Sequence, residues 1–345
     1  MKKILVTGGC GFVGSNVIFK LKKKFNNYRF YSLDNLSRRG SKFNYQRLKI
    51  DGIKNYCFDI ASGKKILKLP KFSIIIDCCA EAAVEFSKKD YDRVISTNFL
   101  GTYHLLKKAK KDKSKIIFIS SSRVYSINDL NNLVNNKKVL NKEIKVKKKI
   151  DEDFNVLNPR SIYGFSKLSS ELLIQEFSYA FGIKYLINRC GVLSGPWQYG
   201  VEEQGFMSLW MRKHIAKGKL KYKGFGGYGN QVRDVLHIDD LCRLLAIQVR
   251  KITKVNNLTF NVGGGLKNAI SLIKLTQFCQ KITGNKIKIR ISPETSIYDI
   301  PYYVTNNKKV SSIYNWYPKK NLLNILYDLY SWMNAYKKIF LKIKL

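Results

Sequence analysis

The sequence predicts an α/β fold, a doubly wound parallel sheet with helices on both faces, followed by a smaller C-terminal region. Two observations predict the sheet. Short apolar runs of strand length alternate with stretches of helical periodicity through the first half of the chain. The first of these runs also leads through a glycine-rich turn directly into an apolar helix. Since neighbouring parallel strands need a crossover connection, this alternation is typical of a parallel sheet covered by helices.

The strands expected in the sheet are short and largely apolar. They are placed at 2–7, 28–34, 56–59, 73–79, 115–120 and 184–189. A helix is expected from Phe12 to Leu21, where apolar residues resume at helical spacing. From about Leu193 the rhythm changes and glycines cluster, so a domain boundary is expected between residues 192 and 193. Two compact units also fit the length of the chain.

Two segments are expected to be additions to this plan. Residues 126–158 contain a Lys/Asn-rich stretch followed by Asp151 and Asp153. They form either a solvated surface excursion or a flap near the functional site. The tail 327–345 mixes apolar residues with lysines. This pattern predicts a packed terminal helix with a frayed end, or alternatively a basic helix on a membrane surface.

The composition excludes several classes of protein. Hydrophobic residues make up 45% of the chain and aromatic residues 13%, which is enough to bury a core and is wrong for a disordered or collagen-like chain. The formal net charge is +39, from 63 basic and 24 acidic residues, and 50 of the basic residues are Lys. Because the lysines are spread along the chain, and because base reading favours Arg, we interpret the charge as a compositional bias. The alternatives are a polyanion-binding role and attraction of an anionic metabolite.

The cysteine and histidine pattern indicates no metal site. The seven cysteines include no Cys-x-x-Cys pair, and the three histidines stand alone. An odd cysteine count and an N-terminus that begins directly with a strand predict a protein of the reducing cytoplasm. No stretch approaches the roughly 18 uncharged apolar residues of a membrane helix, so no membrane span is expected.

The turn after the first strand has the chemistry of a dinucleotide site. Gly8, Gly11 and Gly14 lie three residues apart where the strand ends and the helix begins. Without side chains, the backbone of such a turn can approach a pyrophosphate, whose charge is stabilised by the N-terminus of the helix. The sequence therefore predicts that a dinucleotide cofactor binds at this turn.

The end of the second strand predicts which dinucleotide binds. Asp34 lies there, 20 residues beyond Gly14, where a carboxylate accepts hydrogen bonds from an adenosine ribose and repels a 2′-phosphate. This favours NAD over NADP. Arg38 and Arg39 lie close by and act against that preference.

A Tyr and a Lys four residues apart form the second constellation. Tyr163 and Lys167 share one face of a helix. An ammonium group beside a phenol lowers the phenol's pKa, so that the tyrosine can exchange a proton with a sugar hydroxyl near neutral pH. Hydroxyl residues at 120–122, after a predicted strand, add a polar edge where open sheets bind their ligands.

Together these residues resemble the extended short-chain dehydrogenase/reductase family, the nucleotide-sugar epimerases and dehydratases, whose fold is of the Rossmann type. The resemblance covers nearly the whole chain. It places the family's catalytic Ser/Thr, Tyr and Lys at Ser121, Tyr163 and Lys167, with Ser121 located four residues before Tyr125. It implies an NAD-binding domain at 1–192 and a mainly substrate-binding region with a C-terminal helix at 193–345.

The resemblance also implies which residues surround the ligands. Asp59 and Ile60 are similar to the family's adenine-binding pair, and Asn98 to its helix residue near the active site. The implied cofactor residues are Gly8, Gly11, Phe12, Val13, Gly14, Asp34, Asn35, Ser37, Arg38, Asp59, Ile60, Cys79, Ala80, Asn98, Tyr163, Lys167 and Cys190. The implied substrate residues are Ser122, Arg123, Gln204 and Arg233.

Within the family, four segments are most similar to CDP-paratose 2-epimerases, also called tyvelose epimerases. These segments are 34–40, 195–198, 203–205 and 229–234. Dehydratases of the family place Asp-Glu directly after the hydroxyl residue, where this chain has Ser122 and Arg123, so dehydration is disfavoured. Relatives often carry a phosphate-pairing Arg where this chain has Ser296 and Tyr298, so diphosphate recognition is expected to depend on Arg233.

The resemblance implies an enzyme that holds NAD throughout its turnover. It would oxidise C2 of a CDP-linked 3,6-dideoxyhexose, let the keto-sugar turn and return the hydride to the opposite face. Tyr163 would be the acid/base, Lys167 would tune it and hold the ribose, and Ser121 would bond the reacting hydroxyl. A 4-epimerase or 4-reductase of another nucleotide sugar would use the same three residues.

Two further expectations concern partners. A homodimer is expected, joined by the helices that begin near Asn98 and Tyr163, as relatives form. No specific nucleic-acid partner is expected. A basic protein that binds RNA on the same scaffold, without redox chemistry, is the alternative from a different functional class.

Overall fold

The chain folds into two compact units, and segments belonging to one unit alternate along the sequence with segments belonging to the other. The computed structural model describes residues 1–82, 84, 90–134, 140, 142–144, 148–202 and 204–337. The first unit comprises Met1–Val124, Ser161–Cys190 and Leu241–Phe260, and the second comprises Tyr125–Arg160, Gly191–Asp240 and Asn261–Leu345. Relative to the boundary expected at 192/193, segment 125–160 therefore lies in the second unit and Leu241–Phe260 in the first.

Strands and helices alternate along the described residues. The strands are β1 (Lys2–Thr7), β2 (Tyr28–Leu33), β3 (Lys54–Tyr56), β4 (Ile74–Asp77), β5 (Lys115–Ser121), β6 (Tyr185–Cys190), β7 (Val192–Ser194), β8 (Leu220–Lys223), β9 (Val232–His237), β10 (Leu258–Val262), β11 (Ala269–Ser271), β12 (Ile289–Ser292) and β13 (Tyr302–Tyr303). The α-helices are α1 (Phe12–Lys22), α2 (Ser41–Ile50), α3 (Gly63–Leu67), α4 (Tyr91–Val94), α5 (Gly101–Asp112), α6 (Ile127–Asn131), α7 (Ile162–Phe181), α8 (Phe206–Ile215), α9 (Ile238–Lys251), α10 (Leu272–Thr283), α11 (Lys308–Tyr314) and α12 (Leu322–Ala335). A π-helical segment, Ile95–Leu100, joins α4 to α5.

The large sheet confirms the predicted α/β fold. Its strand order is β10-β6-β5-β4-β1-β2-β3, and the pairs from β3 through β6 are parallel. This is the strand order of a doubly wound dinucleotide-binding fold, with β10 added at one edge. The third strand lies at Lys54–Tyr56 rather than 56–59, because the Asp59 carboxylate accepts the backbone N–H of Ala61 (2.9 Å) and starts a turn.

Buried aliphatic and aromatic side chains hold the helices against this sheet. Leu5, Ile75, Phe118 and Ile187 come from four neighbouring strands and are fully buried. They belong to one apolar cluster with side chains of α3, α5 and α7. Burying such side chains provides the main stabilisation of the unit and fixes α7 on the sheet.

The second unit is built from smaller sheets and a helical layer. β9 pairs with β7, β11 and β13, and β8 pairs with β12. Apolar side chains of α8, α10 and α12 form its main core, which includes Met211, Leu275 and Leu329. Side chain and backbone of Asn321 and Asn324 form a reciprocal cap at the start of α12. The end of the predicted tail, residues 338–345, lies outside the described residues.

The described part of segment 126–158 packs into the second unit. Val134 and Leu140 are buried in a cluster with Tyr302 and Val304, and the N–H of Ile150 donates to the carbonyl of Val304 at 2.8 Å. The described residues are therefore not simply a solvated excursion, because Val134, Leu140 and Ile150 pack into the unit, although Leu157 is 90% exposed. Much of the Lys/Asn-rich stretch, at 135–139, 141 and 145–147, lies outside the described residues.

Within the described part of the chain, no helix is both long and apolar enough to cross a membrane.

A buried ion pair ties α7 to the centre of the large sheet. Glu171, on α7, is fully buried and accepts from Nε (3.0 Å) and a terminal nitrogen (2.8 Å) of Arg189 on β6. The hydroxyl of Ser120, on β5, also donates to Glu171. Two strands and one helix thus meet at a single carboxylate, and removing it would leave the buried guanidinium uncompensated.

We expect Glu171→Ala to lower the free energy of unfolding by about 3–5 kcal/mol, because it strands the charge of Arg189 in the core. Urea unfolding followed by circular dichroism measures the change. Lys22→Ala is the control, since the pair between Lys22 and Asp51 is exposed (42% and 38%) and should contribute less than about 1 kcal/mol. Equal losses in both variants would contradict the structural role assigned to Glu171.

Candidate cofactor and active site

The glycine turn has no room for a side chain at Gly8 or Gly14. The N–H of Gly11 donates to the carbonyl of Gly8 at 2.9 Å, and a Cβ on Gly14 would overlap that same carbonyl. Gly8 has φ +58° and lies against the next strand end, so that its Cβ would come 2.9 Å from the Cys78 carbonyl oxygen. Any side chain at Gly8 or Gly14 would push apart β1, β4 and α1.

Helix α1 begins directly after this turn and has no side-chain cap at Gly11. The first backbone N–H groups of a helix, here those of Phe12, Val13 and Gly14, have no acceptor within the helix. Together with the glycines of the turn, these uncapped N–H groups form a set of donors suited to a pyrophosphate. The residues present therefore fit the predicted dinucleotide cofactor.

Asp34 lies at the end of β2, beside the glycine turn. Its two carboxylate oxygens accept the backbone N–H groups of Leu36 (2.8 Å) and Cys10 (3.0 Å). Burial raises the pKa of Asp34, and the hydrogen bonds from Leu36, Cys10 and Gly11 oppose that rise. A carboxylate offers about four acceptor positions and three are taken here, so Asp34 can still accept from a ribose hydroxyl.

The neighbouring polar residues form a second small network. The side-chain amide of Asn35 donates to Asp59 (2.8 Å), and the N–H of Ser37 donates to Asn35 (3.1 Å). Asn35, Ser37 and Asp59 are exposed. Ile60 is only 4% exposed and belongs to the core of the first unit. Its side chain is therefore not available to an adenine ring. Only its backbone can make the adenine contact that the family resemblance implies.

The three implied catalytic residues come together in the first unit. Tyr163 hydrogen-bonds the Ser121 hydroxyl across the gap between α7 and β5, and that hydroxyl also accepts the N–H of Arg123 (3.1 Å). Lys167 lies one turn further along α7 and is 1% exposed. The Ser161 hydroxyl accepts the N–H of Gly164 (3.1 Å) and fixes where α7 begins.

The pKa of Tyr163 does not follow the expected direction. Burial raises it, while the hydrogen bond from Ser121 and the positive charges of Arg123 and Arg38 lower it in part. Lys167 is not among the main influences on the pKa of Tyr163, and its ammonium nitrogen lies 3.9 Å from the centre of the Phe118 ring.

Asp77 is a site residue that the sequence analysis missed. It ends β4, is 2% exposed, and accepts from the hydroxyls of Thr7 (2.5 Å) and Thr102 (3.3 Å). Burial lowers the pKa of Lys167, and the charge of Asp77 is the main opposing influence. The N–H of Cys79 also donates to Asp77 (3.1 Å), which ends the strand before the half-buried Cys79 and Ala80. The signal in the sequence that could have identified Asp77 is a carboxylate at the end of an apolar strand.

The side chain of Asn98 is buried and hydrogen-bonds to other groups of the protein. It lies in the π-helical segment and is 2% exposed. Its amide oxygen accepts the N–H of Glu81 (2.8 Å), and its amide nitrogen donates to the carbonyl of Glu81 (3.2 Å) and the hydroxyl of Ser166 (2.9 Å). A π-helical turn of this kind is frequent at functional sites. Asn98 thus joins the loop after β4 to the helix that carries Tyr163.

The cysteines of the site are neutral thiols. Cys190 pairs with Ser121 in the register of β5 and β6, and burial raises its pKa to about 12. Cys10, inside the glycine turn, is also raised to about 12, mainly by burial. A thiolate nucleophile is therefore not available at either position. Among the described residues, no group of three or more His, Cys, Asp or Glu side chains is placed to hold a metal ion.

The implied substrate residues divide between the two units. Ser122 and Arg123 lie in a short turn after β5. In the second unit, Arg233 on β9 is 14% exposed and donates to Asp299 (3.3 Å) and to the carbonyl of Ile300 (2.5 Å). Gln204 is exposed and makes paired backbone hydrogen bonds with Val201. Arg233 thus contacts segment 294–301, where relatives often carry their phosphate-pairing arginine.

Comparisons with known proteins place this site in context. The chain is 27% identical over 344 residues to a CDP-paratose 2-epimerase from Salmonella typhi, covering 96% of this chain and 99% of the relative. It is 29% identical to a dTDP-D-glucose 4,6-dehydratase from Dictyostelium discoideum, covering 76% and 58% of the two chains. A crystal structure of UDP-glucose 4-epimerase from Thermotoga maritima with UDP-glucose superimposes with a TM-score of 0.79 at 26% identity, covering 96% of this chain and 99% of that one.

A family model, described as the NAD dependent epimerase/dehydratase family, matches residues 4–263. The match spans the glycine turn, Asp34 and all three implied catalytic residues. The chain therefore belongs to the NAD dependent epimerase/dehydratase family.

Proposed function

We propose that this protein is a nucleotide-sugar epimerase that acts at C2 of a CDP-linked 3,6-dideoxyhexose, with the NAD of its family as cofactor. The observation that carries the proposal is the hydrogen bond between Tyr163 and Ser121 beside buried Lys167. These groups lie at the carboxyl end of the parallel sheet, where folds of this class carry their reactive groups.

The residues that would hold NAD lie around the turn after β1 and the ends of the neighbouring strands. When bound, NAD supplies a hydride acceptor that can later return the hydride. The proposed holding residues are Gly8, Gly11, Phe12, Val13, Gly14, Asp34, Asn35, Ser37, Arg38, Asp59, Ile60 by its backbone, Cys79, Ala80, Tyr163, Lys167 and Cys190. Asn98 is buried and would act only by positioning Glu81 and Ser166.

Side chains of the protein carry out the proposed proton transfer. Tyr163 acts as a phenolate: its oxygen takes the proton of the sugar hydroxyl as the carbon is oxidised, and the resulting phenol gives the proton back after the keto-sugar has turned. Ser121 holds the reacting hydroxyl in line, and its own oxygen is fixed by the N–H of Arg123. Burial excludes water from Tyr163, and the charges of Arg123 and Arg38 favour its transient phenolate.

The turn after Ser121 supports epimerisation over dehydration. Loss of water from the sugar needs an acid and a base close to the reacting carbons, and the two residues after Ser121 are Ser122 and Arg123. An arginine is not deprotonated in proteins and cannot serve as a general acid. The name of the Salmonella relative supports a CDP-linked substrate and C2 as the reacting carbon. Epimerisation at C4 of another nucleotide sugar is the second candidate, supported by the Thermotoga structure.

A homodimer is part of the proposal. Six large apolar side chains lie exposed on the consecutive helical segments Ile95–Asp112 and on α7: Leu100, Tyr103, Phe165, Leu172, Tyr179 and Phe181. Exposed apolar side chains on neighbouring helices indicate a surface covered by a partner. A second copy of the chain would cover the same helices by two-fold symmetry.

The proposed reaction is tested by incubating the purified protein with CDP-paratose in D2O and recording proton NMR. We expect the C2 epimer to accumulate with hydrogen retained at C2, because the hydride leaves and returns without meeting solvent. UDP-glucose and UDP-N-acetylglucosamine serve as competing substrates. Deuterium at C2 would exclude hydride transfer, and 4-epimerisation of a UDP-sugar alone would replace the C2 proposal by the second candidate.

Tyr163→Phe should lower kcat by at least ~100-fold with little change in nucleotide-sugar binding, since a general acid/base contributes ~10²- to 10⁴-fold. Steady-state kinetics and a binding titration measure the two effects. Tyr179→Phe, on the same helix but 94% exposed, is the matched control and should remain at the native rate. A Tyr163→Phe enzyme of near-native kcat would assign the proton transfer to another group.

Arg233→Ala should raise the KM for the nucleotide sugar by about tenfold or more, because a guanidinium forms strong charge-assisted bonds to a diphosphate. Arg233→Lys should recover only part of the loss, since lysine keeps the charge and loses the planar fork. The thermal midpoint is measured in parallel because Arg233 also contacts Asp299. A lowered midpoint with an unchanged KM would limit Arg233 to a structural role.

A further inference from the structure

Two arginines lie beside the residues proposed to hold the adenosine ribose. Arg38 follows Asp34 by four residues, and Arg93, on α4, donates to the Ser37 hydroxyl at 3.3 Å. An arginine at this place in a dinucleotide-binding fold accommodates the 2′-phosphate that distinguishes NADP from NAD. The sequence alone carries opposite signals at this point, one from Asp34 and one from Arg38 and Arg39, and the structure adds Arg93.

The structure shows what these arginines contact. A terminal nitrogen of Arg38 lies 2.9 Å from one carboxylate oxygen of Glu81, and Nε of Arg93 lies 3.3 Å from the other. The side chain of Glu81 is 6% exposed, whereas those of the two arginines are about 40% exposed. One buried carboxylate thus pairs with two guanidinium groups, whose positive charge it compensates in part.

Glu81 is held so that this pairing persists. Its N–H and its carbonyl both bond to the side-chain amide of Asn98, at 2.8 and 3.2 Å. The backbone of Arg38 is also fixed, because its carbonyl accepts the N–H (3.0 Å) and the hydroxyl (2.6 Å) of Ser41. The backbone on either side of the Arg38–Glu81 pair is therefore held by hydrogen bonds to Asn98 and Ser41.

We propose that Glu81 is a determinant of cofactor choice, which makes the site reject NADP by compensating Arg38 and Arg93. A 2′-phosphate would bring a dianion beside Asp34 and would meet arginines already engaged by a carboxylate. The proposal rests on the proposed position of the adenosine ribose at Asp34. It assigns to Glu81 a role in specificity and none in the chemical step.

The test is a competition experiment with Glu81→Gln. The native protein and the variant are equilibrated with equal concentrations of NAD and NADP, desalted and denatured, and the released nucleotides are quantified by chromatography. Glutamine keeps the size and hydrogen-bonding capacity of the side chain and removes its charge. We expect the bound NADP-to-NAD ratio to rise by at least about tenfold, because two guanidinium groups then face the 2′-phosphate without a competing carboxylate.

Two further variants make the result specific. Asp51→Asn removes the same charge from an exposed pair with Lys22 in the same unit, and should leave the ratio unchanged. Arg38→Ala combined with Glu81→Gln should return the ratio towards the native value. If Glu81→Gln does not fold, Arg93→Ala in the native background provides the test, since it removes one cation and should shift the ratio further towards NAD.

The outcomes separate this inference from the proposed function. An unchanged ratio in Glu81→Gln, or the same rise in Asp51→Asn, overturns the role of Glu81. Native protein that retains neither nucleotide would instead overturn the proposed cofactor site. A large rise in Glu81→Gln that is absent from Asp51→Asn and reversed by the additional Arg38→Ala change establishes the inference.

Discussion

The close approach of backbone to backbone at the glycine turn is the constraint on which the site depends. Gly8 lies against the Cys78 carbonyl, and Thr7 hydrogen-bonds Asp77. Contacts within the protein therefore hold the ends of β1 and β4 together without a ligand. The carboxylate of Asp34 reaches the same turn through the N–H of Cys10. Three neighbouring strand ends are in this way placed around one cradle.

From this cradle a continuous set of polar contacts leads to the catalytic helix. The hydroxyl of Thr102 lies within hydrogen-bond distance of both Asp77 (3.3 Å) and the carbonyl of Asn98 (2.8 Å) and can donate its one proton to either. The side-chain amide of Asn98 donates to the hydroxyl of Ser166. Ser166 lies between Tyr163 and Lys167 on α7. The glycine turn and Tyr163, the proposed cofactor site and proton-transfer group, are thus positioned by the same buried network, whose members satisfy one another and make it rigid.

Local patterns predicted the sheet, the glycine turn and the placement of Tyr163 and Lys167 on one helix, because each depends on residues close in sequence. The contacts of Glu81 and Glu171 could not be predicted in this way, whereas Asp77 had a local signal at the end of an apolar strand. Glu171 meets Ser120 from 51 residues away, and nothing in the local sequence indicates that contact. The direction of the Tyr163 pKa was also missed, since burial and the surrounding charges are properties of the folded unit.

The alternation of the chain between the two units has a consequence for synthesis on the ribosome. The first unit takes its last segment from Leu241–Phe260, and β10 completes the edge of its sheet next to β6. Its contacts therefore cannot all form until the chain has been made as far as Phe260. Long-range strand pairing of this kind is slow and leaves sheet edges exposed meanwhile. A nascent chain stalled before residue 258 would present β6 as an open edge, a natural binding target for a chaperone.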